Sequence, residues 1–373
     1  MTATATAANR EALDYELVMV DADGHVNETG HLGDYIDPEY AHMLELPPGT
    51  VRRLADPPEG FRMLATWDPN VMGHLAIPGG HDAAARLVDM DREGIDAAVL
   101  YPTLLLEWRE DPAGFAALCR AYNDWLRDYC AVDNSRLFGV GAVPLQDIPA
   151  AIAEMERAVN DLGFKAVFVR PAPYIGAKKL HDPVYDPFWD AAQALDCPIG
   201  VHPYPMADMK NTVQLLALDD DSYGLPSEGL TLRQGLGNAM DMMMATGWFV
   251  AGGICERFPR LRVVILEGSG GWMPTMLERF DHQQKVFGNA YQRALPSEVF
   301  ARQCWVSFDP DECALAFAAE VLGPERVMWA SDYPHPDAKI EGIVEELREA
   351  TERLDAEARR LVNGANAARF YDL

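Results

Sequence analysis

Eight short apolar runs alternate with amphipathic segments along this chain, and this alternation constrains the fold more than any other feature. The runs are rich in β-branched residues and apolar on both faces, which is typical of parallel strands covered by helices. They span residues 17–23, 96–102, 137–144, 165–171, 197–202, 262–267, 304–309 and 326–332. Several of the segments between them open with an Asp-Pro or Ile-Pro pair, which predicts a capped helix with proline in its first turn.

Eight strand–helix units predict an α/β protein with a (β/α)8 TIM barrel. A doubly wound open sheet is the rival, but it would more often carry a glycine-rich nucleotide loop after strand one, and none is present. Two long insertions, residues 30–80 after strand one and 203–250 after strand five, are predicted to cap the barrel mouth. Residues 1–16 are predicted to form a disordered lead-in, and residues 17–373 a single domain.

The charge and cysteine content narrow the class of protein. With 31 basic and 58 acidic residues the formal net charge is -27, which argues against a nucleic-acid partner. No apolar run reaches the length of a membrane span, and the first residues lack the pattern of a secretory signal. The six cysteines show no paired spacing, so reduced thiols are expected. These features predict a cytoplasmic enzyme that acts on a small molecule, without a nucleic-acid or membrane partner.

Polar residues close several of the apolar runs, at the positions where a barrel exposes its strands. They are Asp23, His25, His202, Glu267 and Asp332. Parallel strands deliver such residues to one shared face, although long stretches of chain separate them. Carboxylates and imidazoles in this combination bind divalent ions such as zinc, manganese or iron. The set therefore predicts one or two metal ions per chain, while each residue alone is also compatible with a loop cap or a satisfied polar group.

The same residues suggest catalytic roles. Asp332 is suited both to binding a metal and to accepting a proton from metal-bound water. Glu267 has three interpretations: a second metal ligand or bridge, a general acid or base, or a carboxylate bound to the amides of the following glycine loop. With His202, these two acids form the predicted catalytic set.

Three further residues are predicted to contact substrate. Arg170 ends strand four, where it would either fork a substrate carboxylate or pair with a site acid. His335, three residues after Asp332, is interpreted as a substrate contact, a partner of the site residues or an ordinary loop histidine. Trp272 is interpreted either as core packing or as part of an apolar substrate wall.

The chain resembles the amidohydrolase superfamily, in particular the amidohydrolase-related branch that includes aminocarboxymuconate-semialdehyde decarboxylase and resorcylate decarboxylases. The resemblance covers nearly the whole chain and is carried by DADGH, HDPVYDPFW, GVHP, EGSGGWMP, ASDYPHPD and NGANAARFYDL. It implies a (β/α)8 barrel with a divalent metal at the carboxyl-terminal mouth. By this likeness Asp23 and His25 match the strand-one ligands, His202 the strand-five ligand and Asp332 the strand-eight ligand. Dimerisation is common in the family, so a homodimer is also implied.

Two positions depart from the family pattern. The strand-one pair is Asp-x-His rather than His-x-His, and Glu267 stands where the decarboxylases generally carry a histidine. A third carboxylate would suit two ions that share a hydroxide, so we expect a metal-dependent hydrolase of an ester, thioester, amide or lactone. The alternative is a non-oxidative decarboxylase of a carboxylated aromatic or related acid. A non-catalytic metal-binding protein is the third hypothesis, and the intact ligand set disfavours it.

Overall fold

The computed structural model describes residues 18–28, 31–44, 77–103, 105, 111–203, 233–335 and 338–373. Eight parallel strands form one sheet in which each strand pairs with the next along the chain. They are β1 (Val20–Val26), β2 (Ala97–Pro102), β3 (Leu137–Ala142), β4 (Ala166–Val169), β5 (Ile199–Val201), β6 (Val263–Ile265), β7 (Cys304–Phe308) and β8 (Val327–Trp329). This topology confirms the predicted (β/α)8 barrel.

The sheet closes at its carboxyl end through the residues that follow β8. The backbone N–H of Asp332 donates to the carbonyl oxygen of Asp23 at 3.1 Å, and that of His25 donates to Tyr333 at 2.7 Å. The register between β1 and β2 shifts between Asp21 and Gly24, so the residues between them bulge out of the β2 ladder. The bulge thus leaves the Asp23 carbonyl available to the segment after β8.

Helices connect the strands and cover the outside of the barrel. They are α1 (Ala83–Glu93), α2 (Pro112–Cys130), α3 (Ile148–Asn160), α4 (Asp186–Ala194), α5 (Ala239–Val250), α6 (Ile254–Arg257), α7 (Met273–Phe287), α8 (Pro296–Gln303), α9 (Leu315–Leu322), α10 (Ile343–Ala350), α11 (Ala356–Arg360) and α12 (Asn366–Tyr371). Asp111 and Asp147 cap α2 and α3 by accepting backbone N–H donors, which explains the start signals read from the sequence. Among the described residues, none of the helices combines the length and hydropathy that a membrane crossing requires.

The last helix covers the amino-terminal end of the barrel. The Tyr371 hydroxyl donates to the Ala22 carbonyl at 3.1 Å and lies 3.0 Å from the Tyr101 hydroxyl inside the barrel. The Asn366 amide donates to the carbonyl of Val327 at the start of β8. This floor is therefore fixed by buried hydrogen bonds as well as by apolar packing.

The predicted strand ends need three corrections. β1 continues to Val26, so Asp23 and His25 lie within it and do not close it. Glu267 and Asp332 lie beyond β6 and β8, which end at Ile265 and Trp329. Both residues have positive φ angles, 42° and 53°, and this conformation is incompatible with a strand.

Other predictions fall largely outside the described residues. The lead-in of residues 1–16 lies wholly outside them, as do residues 45–76 of the first insertion and 204–232 of the second. The capping function of both insertions and the single domain over 17–373 stay predictions. The methionine-rich segment of the second insertion is described, and it forms α5.

Candidate metal centre

The two histidines of the predicted ligand set face each other at the barrel mouth. His25 and His202 are fully buried, and their Nε2 atoms lie 3.2 Å apart. The Nδ1 of His25 lies 2.8 Å from the Pro102 carbonyl oxygen, and the Nδ1 of His202 lies 2.7 Å from that of Pro203. A carbonyl oxygen only accepts, so each Nδ1 carries the hydrogen, and in neutral imidazoles both Nε2 lone pairs point at one another. Two facing lone pairs repel unless a proton or a metal cation lies between them.

Three carboxylates complete this cluster. Asp23 approaches both imidazoles, with its two oxygens 3.5 Å from the Nε2 atoms of His25 and His202. Asp332 Oδ1 lies 3.4 Å from His25 Nε2, and Glu267 Oε2 lies 3.0 Å from His202 Nε2. Among the described residues, Asp23 Oδ1 and Glu267 Oε2 are buried without a hydrogen-bond donor. Anionic oxygens left without donors beside two imidazole lone pairs fit a divalent cation.

The backbone at the two loop acids is strained. Left-handed φ angles are uncommon for residues other than glycine, yet both Glu267 and Asp332 adopt them immediately after their strands. In each case the turn brings the carboxylate to within 3.4 Å of an imidazole Nε2 on another strand. Such local strain is typical of functional sites, where the surrounding structure holds it in place.

The titration behaviour of the cluster follows from burial and from mutual charge. Burial, assisted by the charges of His335 and His202, holds the pKa of His25 well below its usual value. Burial would also lower the pKa of His202, but the carboxylates of Asp23 and Glu267 overcome it and raise this pKa to about 9. Burial raises the pKa of Asp23 well above its usual value, against the attraction of His202. Without a metal, His202 therefore holds a proton at neutral pH, and the carboxylates around it favour a positive charge at this point.

Two hydrogen-bonding partners of the cluster escape sequence reasoning. Asn238, directly before α5, donates from its amide to Glu267 Oε1 at 3.1 Å and so fixes that carboxylate. Thr103, after β2, places its hydroxyl 3.2 Å from His335 Nε2, while His335 Nδ1 lies 2.6 Å from Asp332 Oδ1. Neither residue lies inside a predicted strand or in one of the motifs that carry the family resemblance. Only the position of Thr103, directly after a strand, offered a signal.

The three residues predicted to contact substrate differ in their surroundings. His335 belongs to the cluster, and its ring stacks on that of His25 with centroids 3.9 Å apart. Arg170 follows β4 at the mouth, and it is only 6% exposed, so its guanidinium is enclosed by protein. Trp272 precedes α7 and donates from Nε1 to the Gly268 carbonyl at 2.8 Å, which ties it to the loop of Glu267. The contacts of Arg170 and Trp272 with substrate stay predictions.

Comparison with known proteins finds decarboxylases along most of the chain. The 2-amino-3-carboxymuconate-6-semialdehyde decarboxylase of Dictyostelium discoideum is 24% identical over 312 residues, which cover 82% of this chain and 77% of that protein. The gamma-resorcylate decarboxylase of Rhizobium radiobacter is 28% identical over 265 residues, 67% of this chain and 76% of that protein. These relatives contradict the predicted hydrolase and favour the alternative, a carboxy-lyase. The expected ester, thioester, amide or lactone hydrolysis is therefore wrong.

The physical reason for this error lies in Glu267. The residue type at this one position does not separate the two reactions, since one fold can host many unrelated functions. In the structure Glu267 is an integral neighbour of His202 and Asn238 in a single cluster. A third carboxylate at this position therefore does not require a second ion or a bridging hydroxide.

A solved structure supports the fold. The dihydroxybenzoic acid decarboxylase of Polaromonas sp. JS666, which contains bound manganese and the inhibitor 2-nitroresorcinol, superposes with a TM-score of 0.67 at 20% identity. The match covers 95% of this chain and 97% of that one. The profile of the amidohydrolase family matches residues 20–373, from the start of β1 to the last residue. The protein therefore belongs to the amidohydrolase family and is an enzyme of that superfamily.

Proposed function

We propose that this protein is a metal-dependent, non-oxidative decarboxylase of a small carboxylated aromatic or related acid. The observation that carries the proposal is the pair of facing imidazole Nε2 atoms, 3.2 Å apart, with three carboxylates around them. The named activities of the relatives supply the reaction class. Because the Polaromonas structure contains bound manganese, we expect this site to bind manganese or a similar divalent ion.

The donor set fits one divalent ion. Asp23, His25, His202 and Asp332 would hold it, and Glu267 would lie close enough to contribute a further oxygen. Each imidazole is already oriented by the bond from its Nδ1 to a backbone carbonyl, and such support fixes the tautomer that a ligand needs. When bound, the ion would draw electron density from the substrate through its carboxylate and a neighbouring oxygen.

The chain itself must supply a proton. Decarboxylation breaks the bond between the carboxylate carbon and the ring carbon, CO2 departs, and the electron pair stays on the ring carbon until a proton joins it. Asp332 is suited to deliver this proton, because its Oδ1 lies 2.6 Å from His335 Nδ1, and His335 Nε2 lies 3.2 Å from the Thr103 hydroxyl. His335 is 9% exposed, so it lies closer to solvent than the fully buried His25 and His202.

Glu267 and Arg170 then have separate roles. Burial would raise the pKa of Glu267, but His202, with smaller contributions from His335 and Asn238, lowers it. This carboxylate is therefore suited to charge balance at the ion rather than to proton donation. Arg170, enclosed at the end of β4, is suited to bind a substrate carboxylate through its planar fork. The proposal therefore places substrate between the ion and β4.

The test is product analysis with the manganese-loaded protein. Hydroxybenzoates with a carboxylate beside a hydroxyl should release CO2, and in D2O the product should carry deuterium at the vacated carbon. His202→Gln should lose this activity, whereas His181→Gln is a matched control, since His181 contacts Trp248 and Tyr291 rather than the cluster. A protein that binds one ion per chain and releases no CO2 from any such acid would contradict the proposal.

A further inference from the structure

Behind the ligand cluster lies a second, fully buried set of polar residues that the proposed reaction does not use. We propose that Asp21, Arg86 and Ser331 form a brace that positions the metal ligands of β1 and of the segment after β8. The inference depends on one part of the proposed function, namely that the cluster binds a metal ion. It gives a structural role to Asp21 and Gly24 of the DADGH motif, two residues that take no part in the proposed reaction.

The first part of the brace ties the two segments together directly. Both oxygens of Asp21 accept hydrogen bonds from Ser331, one from its backbone N–H at 2.9 Å and one from its hydroxyl at 2.6 Å. The same hydroxyl accepts from the backbone N–H of Tyr333 at 3.0 Å. Asp332 lies between Ser331 and Tyr333, so this network holds both of its neighbours. The left-handed turn at Asp332 is thereby fixed from both sides.

The second part is Arg86, which reaches β1 from α1. Its Nη1 donates to the His25 carbonyl at 2.6 Å, and its Nη2 lies 3.9 Å from Asp21 Oδ2. Its guanidinium also lies over the Tyr333 ring, 4.8 Å from the centroid. Arg86 therefore contacts the backbone of one ligand and a residue next to another.

Gly24 makes this approach possible. A Cβ at Gly24 would lie 2.3 Å from Arg86 Nη2 and 2.7 Å from Asp21 Oδ2. Any larger residue between Asp23 and His25 would therefore displace the guanidinium or the carboxylate. The glycine of the motif is required by the brace and not by a turn.

The brace has a physical purpose because the ligands repel one another. Asp23, Glu267 and Asp332 converge on one point, and without a cation their charges favour separation of the segments that carry them. Asp23 and Asp332 belong to the two ends of the sheet, joined near the cluster by two backbone hydrogen bonds. The buried bonds of Asp21 and Arg86 hold this junction closed, so the ligands are arranged before the ion arrives.

The test measures manganese affinity of the full chain by calorimetry after chelation of resident metal. Asp21→Ala removes both acceptors of Ser331 and should weaken binding by about 10–100-fold, the usual range for residues that orient ligands. Asp21→Asn keeps one acceptor and should recover part of this loss. Ser331→Ala, which removes only the hydroxyl, should weaken binding less than Asp21→Ala.

Glu154→Gln is the matched control for loss of a buried acid. Glu154 is 5% exposed and binds Asn123 and Arg157, between α2 and α3. This variant should lower the free energy of unfolding without changing manganese affinity or the electron paramagnetic resonance spectrum of the bound ion. Folded Asp21 and Ser331 variants with wild-type affinity and spectrum would overturn the brace alone. A wild-type chain that binds no manganese would overturn both the brace and the proposed metal site, whereas a metal-binding chain without decarboxylase activity would leave the brace intact.

Discussion

The two ends of the barrel are held together by different contacts. At the floor, Tyr371 and Asn366 of α12 bind backbone carbonyls, and Phe370 packs on Trp305 with ring centroids 4.9 Å apart. At the mouth, Asp23 Oδ1 and Glu267 Oε2 are buried without a donor among the described residues, and two backbone turns are strained. In barrel enzymes the carboxyl-terminal face carries catalysis and the opposite face carries stability. At the floor Asn366 Oδ1 is also buried without a partner among the described residues, but it is a neutral amide oxygen. The atoms at the mouth belong to acids that converge on two imidazoles, so of the two ends the mouth is the one arranged for a cation.

The largest expected effect is the loss of a mouth ligand. His202→Ala removes one Nε2 donor, and a bound divalent ion typically contributes several kcal/mol of transition-state stabilisation. We expect kcat/KM for decarboxylation to fall by about 10³–10⁴-fold, measured as CO2 release under saturating manganese. The free energy of unfolding of the metal-free protein should fall much less than it does for a floor variant. A large loss of metal-free stability would contradict the division between the two ends.

The matching change at the floor is Phe370→Ala. Phe370 is 1% exposed and contacts both Trp305 and Tyr371, so its truncation leaves a cavity. The free energy of unfolding should fall by about 3–5 kcal/mol, measured by denaturation in urea. The kcat of the folded fraction and its manganese content should match those of the wild type. A change in kcat would show that the floor transmits strain to the mouth.

The difference between the ends also explains what the sequence could predict. The strands are recognisable because each is a short apolar run, and Asp23, His25, His202 and Asp332 were found because they stand at or near strand ends. Local patterns do not reveal partners from distant segments, so the contacts of Asn238 with Glu267 and of Ser331 with Asp21 appear only in the structure.

The reaction class was also beyond the sequence pattern. One fold can host many unrelated reactions, so the barrel and its cluster of acids and imidazoles do not by themselves separate a hydrolase from a decarboxylase. In the sequence, Glu267 is interpreted as favouring hydrolysis. The structure shows only that its carboxylate lies beside His202 and Asn238. Only the similarity to decarboxylases favours a carboxy-lyase over a hydrolase.

A smaller effect is expected at Arg170, which tests whether β4 contributes to the mouth. Arg170→Gln removes the charge of a guanidinium predicted to bind the substrate carboxylate. A hydrogen bond to a charged group contributes about 1.5–3 kcal/mol, so KM should rise by about 10–100-fold. Manganese affinity should not change, because Arg170 is not among the predicted ligands. Steady-state kinetics and calorimetry separate these outcomes, and weaker metal binding with an unchanged KM would assign Arg170 to the support of the site instead.

The smallest effect concerns Glu312, a mouth residue that no predicted role includes. Its carboxylate follows β7 and accepts the backbone N–H of Asp309 at 3.1 Å and that of Gly270, in the loop after Glu267, at 3.2 Å. Burial outweighs these hydrogen bonds and raises the pKa of Glu312 to about 7. The folded protein therefore binds this proton more tightly than the unfolded chain does.

The protein should therefore lose stability as the pH rises from the usual pKa of glutamate to that of folded Glu312. In this range the folded state still holds the proton, whereas the unfolded chain has released it. The contribution of the bound proton to the free energy of unfolding is fully present below the usual glutamate pKa and is lost as the pH approaches 7. Because the group is partly exposed, we expect a fall on the order of 1–2 kcal/mol between about pH 4.5 and pH 7. Urea denaturation of Glu312→Gln across this range should lack that fall, whereas Glu154→Gln should keep it. An identical pH profile in Glu312→Gln would show that the mouth tolerates the charge of Glu312 without cost, which would weaken the contrast with the floor.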